Sequence, residues 1–217
     1  MVSRKYRNPC RSLHRRQASL EPLPRILVVC EGVVTEPQYF DAFKREEENR
    51  LVEVVIDNEG GVPKTLVERA VLRKKMAEQQ AIREHDDNLK YDEVWCVFDV
   101  DQHPRLADAR QQARDNGIRL AVSNPCFELW LLLHFSDQTA HIERKPAATA
   151  LGKYIRGYDK HVPFEVLRFG YIDAVRRAQL IERRCIEAGD EGGNPSTGVY
   201  LLTERIREFG RRGRTYP

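Results

Sequence analysis

An α/β fold built on a parallel sheet of about four strands is the expectation for this 217-residue chain, and three features carry it. Short β-branched runs alternate with longer segments of helical periodicity, the pattern of successive βα units. One run, Val94-Trp95-Cys96-Val97-Phe98, is apolar without alternation, as a strand covered on both faces must be. Asn116-Gly117 closes the polar segment before the next apolar run, a helix-ending pair at the place where a crossover helix has to stop.

Taken in order, Ile26 to Cys30 reads as the first strand. Glu36 to Glu48 reads as a helix: Thr35 and Gln38 stand at capping-box spacing, Pro37 falls in the first turn, and Tyr39, Phe40 and Phe43 share a face. Val52 to Ile56 is the second strand. After Gly60-Gly61, about Lys64 to Glu84 forms a long polar helix with Leu66, Ala70 and Leu72 as apolar contacts. Tyr91 to Asp99 is the third strand, Leu106 to Asn116 a helix and Ile118 to Val122 the fourth strand, which leads through Asn124-Pro125 into an apolar helix from about Cys126 to Phe135. Crossovers of this kind are right-handed. Past His141 the strands fade, and Ala147 to Arg156, Tyr171 to Ala188 and Val199 to Phe209 look helical, the last two joined by GDEGGNPST. The expected organisation is an arm over 1–24, an α/β domain over 25–140 and a helical extension over 141–217 packed on the same domain.

The arm is basic. Over residues 1–25, Arg4, Lys5, Arg7, Arg11, Arg15, Arg16 and Arg25 stand against the single acid Glu21, a net +6 that leaves −3 on the remainder of a chain whose formal charge is +3. Poor in large apolar residues and carrying Pro9, Pro22 and Pro24, it reads as a solvated tail or as an arm that contacts phosphates. The five cysteines include no CxxC pair, which favours reduced thiols over a disulfide framework or a zinc knuckle. No apolar run approaches the 20 or so residues of a membrane span, and no signal-peptide core is present, so the expectation is a cytoplasmic protein without a membrane partner.

The chemistry is expected at the carboxyl ends of the strands, where parallel α/β sheets bind ligands. Glu31 ends the first strand there, and Asp99 and Asp101 end the third. Residues two apart in extended chain point to one side, so the two aspartates can converge. Carboxylates gathered this way repel one another unless a cation offsets them, and hard oxygen donors without a cysteine or histidine set suit Mg²⁺ or Mn²⁺. Gly32, lacking a Cβ, lets an anion approach the backbone just before a helix N-terminus. Rival phosphate motifs do poorly: GGVPKT at Gly60 to Thr65 lacks the GxxxxGK(S/T) spacing, and no GxGxxG follows a strand.

Four blocks, VVCEGVVTEPQYF, VWCVFDVDQH, SNPCFELWLLLHF and NPSTGVYLL, resemble the RloB family of bacterial defence-associated proteins. They span Val28 to Leu202. A strand ending in Glu-Gly followed by one ending in Asp-x-Asp is also similar to the Toprim domain of topoisomerases, primases and OLD-type nucleases. The resemblance implies a Toprim-like fold and Mg²⁺-dependent phosphodiester cleavage of RNA or DNA, as a toxic nuclease in anti-phage defence that works with a partner protein or as a homo-oligomer. It implies a proton-transfer and metal-binding role for Glu31 and metal binding by Asp99 and Asp101. Glu36 and Glu128 lie in the matching blocks and are candidates for a second metal or for orienting the first. Glu128 alternatively favours the dipole of its helix, and Glu36 is likewise alternatively a first-turn dipole residue, with Thr35 a plain N-cap.

Further substrate-binding candidates are Lys153, Arg156 and Lys160, which cluster with Tyr154 and Tyr158 in a mix suited to backbone contact and base stacking, or else form a solvated helix face. Asn194 and Ser196, with Thr197, precede the last helix and either meet phosphate there or cap it. Two other readings stay open: a non-catalytic Toprim-like nucleic-acid-binding or assembly subunit, and a DxD glycosyltransferase, which leaves Glu31 unexplained.

Overall fold

In the computed structural model, which describes residues 24–56, 63–100 and 106–212, the expected α/β architecture is present as one five-stranded sheet. The chain runs β1 (Ile26–Cys30), α1 (Thr35–Glu46), β2 (Val52–Ile56), α2 (Pro63–Glu84), β3 (Glu93–Asp99), α3 (Leu106–Asp115), β4 (Arg119–Asn124) and α4 (Phe127–Leu133). There follow α5 (Arg144–Leu151), α6 (Phe164–Leu167), α7 (Tyr171–Glu187), β5 (Ser196–Thr197) and α8 (Val199–Arg212). The strand order is β2-β1-β3-β4-β5, with β1 to β4 parallel and the two-residue β5 antiparallel to β4. The basic arm up to residue 23, Gly60-Gly61 and Asp101 lie outside the described residues.

Alternation along the central strands sends one set of side chains to each face. Ile26, Val28, Cys30, Trp95 and Val97 join α1, α4, α7 and α8 in the larger core. Leu27, Val29, Val94, Cys96 and Phe98 pack on α2 and α3. The chain steps from β1 to β2 in one direction and then back past β1 to β3, so crossovers of one hand place α1 on one face and α2 and α3 on the other. Around Tyr39 the larger core is aromatic, with Phe43 stacked at 5.9 Å and Phe40, Phe127 and Trp130 edge-on. His134 belongs to it; burial first, then the charge of Arg177, push its imidazole down to about 3, so it is a neutral core residue. Cys30, Cys96, Cys126 and Cys185 are free thiols. No helix among the described residues is long and apolar enough to cross a membrane.

Several local expectations are corrected. Thr35 does not cap α1: the N-cap is Val34 without a side-chain bond, and the Thr35 hydroxyl donates to the Lys160 carbonyl at 3.0 Å. Gln38 accepts from the Val162 N–H instead of closing a capping box. Leu72 is 58% exposed on α2 and contributes no core contact. The segment expected to be helical to Arg156 leaves the helix after Leu151. Before α8, Ser196 and Thr197 form a strand, from which Thr197 Oγ1 accepts the Val199 N–H at 3.3 Å, so the capping role belongs to Thr197.

One buried ion pair ties α8 to the sheet. Glu93, whose side chain is 7% exposed at the start of β3, accepts from Arg205 Nε at 2.9 Å and from Trp95 Nε1 at 2.9 Å. Burial pushes its carboxyl up, but the bonds from Arg205 and Trp95 and the charges of Arg119 and Arg205 outweigh burial and hold it below the usual range. A depressed carboxyl contributes stability above its unfolded pKa and loses it as pH falls through the folded one. Glu93→Gln is therefore expected to cost about 2 kcal/mol near neutral pH, the scale of a hydrogen-bonded buried charge. Thermal melts of both proteins from pH 7 down to about 3 check this: the gap in Tm should close on the acid side, and a pH-independent gap would refute the electrostatic account.

Candidate functional site

The switch in strand order puts β1 and β3 side by side with their helices leaving on opposite faces, which opens a crevice at their carboxyl ends. Glu31 and Asp99 flank it. Cys30 is level with Val97, and the Glu31 N–H donates to the Val97 carbonyl at 3.0 Å, extending the ladder one residue beyond β1. The Asp99 N–H points back to Glu31 Oε2 at 3.4 Å. The Val100 N–H still bonds the Ser123 carbonyl at 2.8 Å, so the chain leaves Asp99 in sheet-like pairing with β4.

A recess of about 400 Å³ lies over this edge, and Glu31, Glu36, Asp99 and Glu128 all line it. Glu36 arrives from the first turn of α1 and is buried. Its carboxyl folds back over Gly32, where any Cβ would fall 2.0 Å from Oε2, so a side chain at this position would have to push the Glu36 carboxyl aside. The anion that comes close to Gly32 is thus the protein's own. Glu128 comes from the first turn of α4 and accepts the Tyr158 hydroxyl at 3.2 Å. Three cations line the same recess: Arg144 and Lys145 from the first turn of α5, and Lys160. Arg144 Nη2 lies 3.2 Å from Asp99 Oδ2.

The electrostatics reflect crowding of like charge. Burial pushes Asp99 well above the usual carboxylate range; Glu36, Glu128 and Glu31 push the same way, and Arg144 opposes them. Glu36 is raised too, first by burial, with Glu128 and Glu31 adding to it, while its own backbone N–H and Arg144 work against the shift. Among the described residues no three of the His, Cys, Asp and Glu side chains are already gathered into a metal-binding group, and Asp101 lies outside them. The donor set nevertheless fits a hard divalent cation. All four acids offer carboxylate oxygens, and a cation among them would relieve the repulsion that raises Asp99 and Glu36.

Of the residues singled out from sequence, Glu31, Gly32, Glu36, Asp99, Glu128 and Lys160 therefore meet in one recess. Lys153 and Arg156 are exposed on the turns after α5 and do not line it. Their neighbour Tyr154 stacks on Phe135 at 4.9 Å, and Tyr158 reaches Glu128. Asn194 also lies elsewhere: its amide bonds both the N–H and the carbonyl of Ile142, at 3.0 and 2.8 Å. Ser196 lines a separate recess of about 480 Å³ with Arg110, Arg114 and Glu182. Arg144 and Lys145 escaped the sequence reading. Their signal was a local conflict, since two cations in a first helical turn oppose the helix dipole.

The family described as RloB-like protein matches residues 26–206, which takes in every lining residue of the recess. Neither curated proteins nor solved structures return a match.

Proposed function

The chain belongs to the RloB-like protein family, and from that premise we propose that it is a Mg²⁺- or Mn²⁺-dependent nuclease that cleaves phosphodiester bonds of RNA or DNA. The observation that carries this reading is the placement of Glu31 and Asp99 on adjacent parallel strands at the switch point, in one recess with two further acids and three cations. The Toprim-like resemblance of the Glu-Gly and Asp-x-Asp strand ends supports the same chemistry, and the family resemblance supports a role as a toxic effector in anti-phage defence.

Glu31 and Asp99, with Asp101 beyond the described residues, are the groups to hold the cation, and Glu128 is the next nearest in kind. The chemistry such an ion supplies there is charge neutralisation at a phosphoryl oxygen and a lowered pKa of bound water. The chain's own groups do the rest. Arg144, Lys145 and Lys160, which line the recess, are the groups to offer N–H donors to phosphate oxygens. Glu31 moves a proton at Oε2, where the Asp99 N–H orients it. Glu36, whose carboxyl lies over Gly32, is shifted towards its neutral form by burial, which reduces the negative charge that a phosphate must meet on entry.

A non-catalytic binding role has one observation in its favour, the Arg144–Asp99 ion pair, which already answers part of the carboxylate charge. Purified protein offered single- and double-stranded DNA and RNA separates the two. Cleavage that needs Mg²⁺ or Mn²⁺ and stops in EDTA is the expected result. Binding without cleavage under every metal tried would assign the binder, and nucleotide-sugar hydrolysis in a parallel assay would assign the glycosyltransferase.

A further inference from the structure

Arg144 sits where helix physics disfavours it. It opens α5, with Lys145 next to it, at the positive end of the helix dipole. What offsets this is the recess, because Arg144 Nη2 reaches Asp99 Oδ2 at 3.2 Å. The two partners differ in burial: the Asp99 side chain is 12% exposed and that of Arg144 50%. The carboxylate is fixed on the end of β3, whereas the guanidinium hangs from a long side chain at the mouth of the recess and can turn to another anion without any movement of backbone. Asp99 is also among the residues placed above to hold a divalent cation. A cation on Oδ2 and a guanidinium on the same oxygen repel each other, so one displaces the other. The released guanidinium then faces the space that a phosphate must cross, with Lys145 and Lys160 on the same lining, and its planar fork matches phosphate oxygens.

We infer that Arg144 is a phosphate-binding residue held on Asp99 until a divalent cation replaces it, so that cation and nucleic acid enter the recess cooperatively. The inference rests on the metal-dependent reading above. Linkage makes the coupling reciprocal: phosphate that draws Arg144 away frees Asp99 for the cation, and cation on Asp99 frees Arg144 for phosphate. Removing Arg144 should then act with opposite signs on the two ligands, which loss of fold does not do; a general effect of lost charge, which would carry the same signs, is separated by the same substitution at Lys145.

The test is Mn²⁺ binding to the full chain, read by electron paramagnetic resonance, with and without phosphorothioate-linked single-stranded DNA and RNA. Arg144→Gln is expected to tighten Mn²⁺ binding in the absence of oligonucleotide by about threefold or more, the scale of a partly exposed ion pair. It should weaken oligonucleotide binding by anisotropy and shrink the factor by which oligonucleotide tightens Mn²⁺. Lys145→Gln removes the same charge from the same recess without touching Asp99, and should weaken oligonucleotide binding while leaving Mn²⁺ affinity close to that of the unaltered chain. Arg144→Lys, which keeps the charge, secures the result if the glutamine variant does not fold, with an intermediate Mn²⁺ affinity expected. Unchanged Mn²⁺ affinity in Arg144→Gln, or equal tightening in Lys145→Gln, overturns the inference while the metal-dependent reading stands. Failure of the unaltered chain to bind Mn²⁺ with or without oligonucleotide overturns both.

Discussion

Glu31→Gln is expected to bind nucleic acid nearly as well as the unaltered protein and to cleave it at least about a hundredfold more slowly, the lower range for losing a positioned acid or base. The substitution is close to isosteric. The glutamine oxygen can still accept the Asp99 N–H that Glu31 Oε2 accepts at 3.4 Å, and the backbone bond from Glu31 to Val97 is unaffected, so the end of β1 keeps its place beside β3. What is lost is the capacity to take and return a proton. That loss appears in the rate at saturating substrate rather than in affinity. Added Mn²⁺ should not restore it, whereas an Asp101→Glu variant, which keeps a carboxylate at altered reach, should regain some rate as Mn²⁺ is raised. Single-turnover cleavage across a Mn²⁺ series checks the distinction. If high Mn²⁺ returns Glu31→Gln to near normal turnover, Glu31 serves only as a metal ligand and the proton moves through another group or through water.

The main outline of this site was legible because it depends on strand position. The ends of Ile26–Cys30 and Glu93–Asp99 follow from short apolar runs, and the edge they share follows from parallel βα order, so Glu31 and Asp99 could be placed together before any side chain was seen. What was missed depends on partners distant in sequence. Thr35 stands at a capping position, yet its hydroxyl finds the Lys160 carbonyl, 125 residues away, and no local pattern announces that. Two residues of strand, Ser196–Thr197, are too few to show a period, and they pair with Ser123 and Asn124 across the sheet. Leu72 looks like a core residue by type alone, but the buried face of α2 is set by Leu66, Val67 and Ala70. Arg144 was hidden by a boundary. With the helix taken to start at Ala147, Arg144 and Lys145 fall outside it, and their conflict with the dipole appears only once α5 is seen to begin at Arg144.

Asp99→Asn separates function from stability more sharply than any other change at this site. Activity should fall to about one hundredth or less, because partners that merely orient a metal ligand already cost 10–100-fold and Asp99 is proposed as a ligand itself. Stability should move the other way. The Asp99 carboxyl is held well above its usual range by burial, then by Glu36, with Glu128 and Glu31 adding to the effect and Arg144 only partly opposing it. A raised carboxyl contributes stability that is fully present below the unfolded pKa and is lost as pH rises through the folded one, so the charged form is a net cost to the fold at neutral pH. The amide carries no charge and escapes that cost. A gain of about 1 kcal/mol would raise Tm by about 2–4 °C in a chain of this size. The gain should disappear as the pH is lowered towards about 4, where the carboxyl of the unfolded chain also takes up its proton. Mg²⁺ or Mn²⁺ should raise the Tm of the unaltered protein by binding its native state, and do so much less in the variant. Melts with and without metal across this pH range therefore report on Asp99 independently of any substrate. A variant that is less stable at neutral pH, or one that keeps the full metal-induced rise in Tm, would show that Asp99 is held by Arg144 as a structural pair and not kept for a cation.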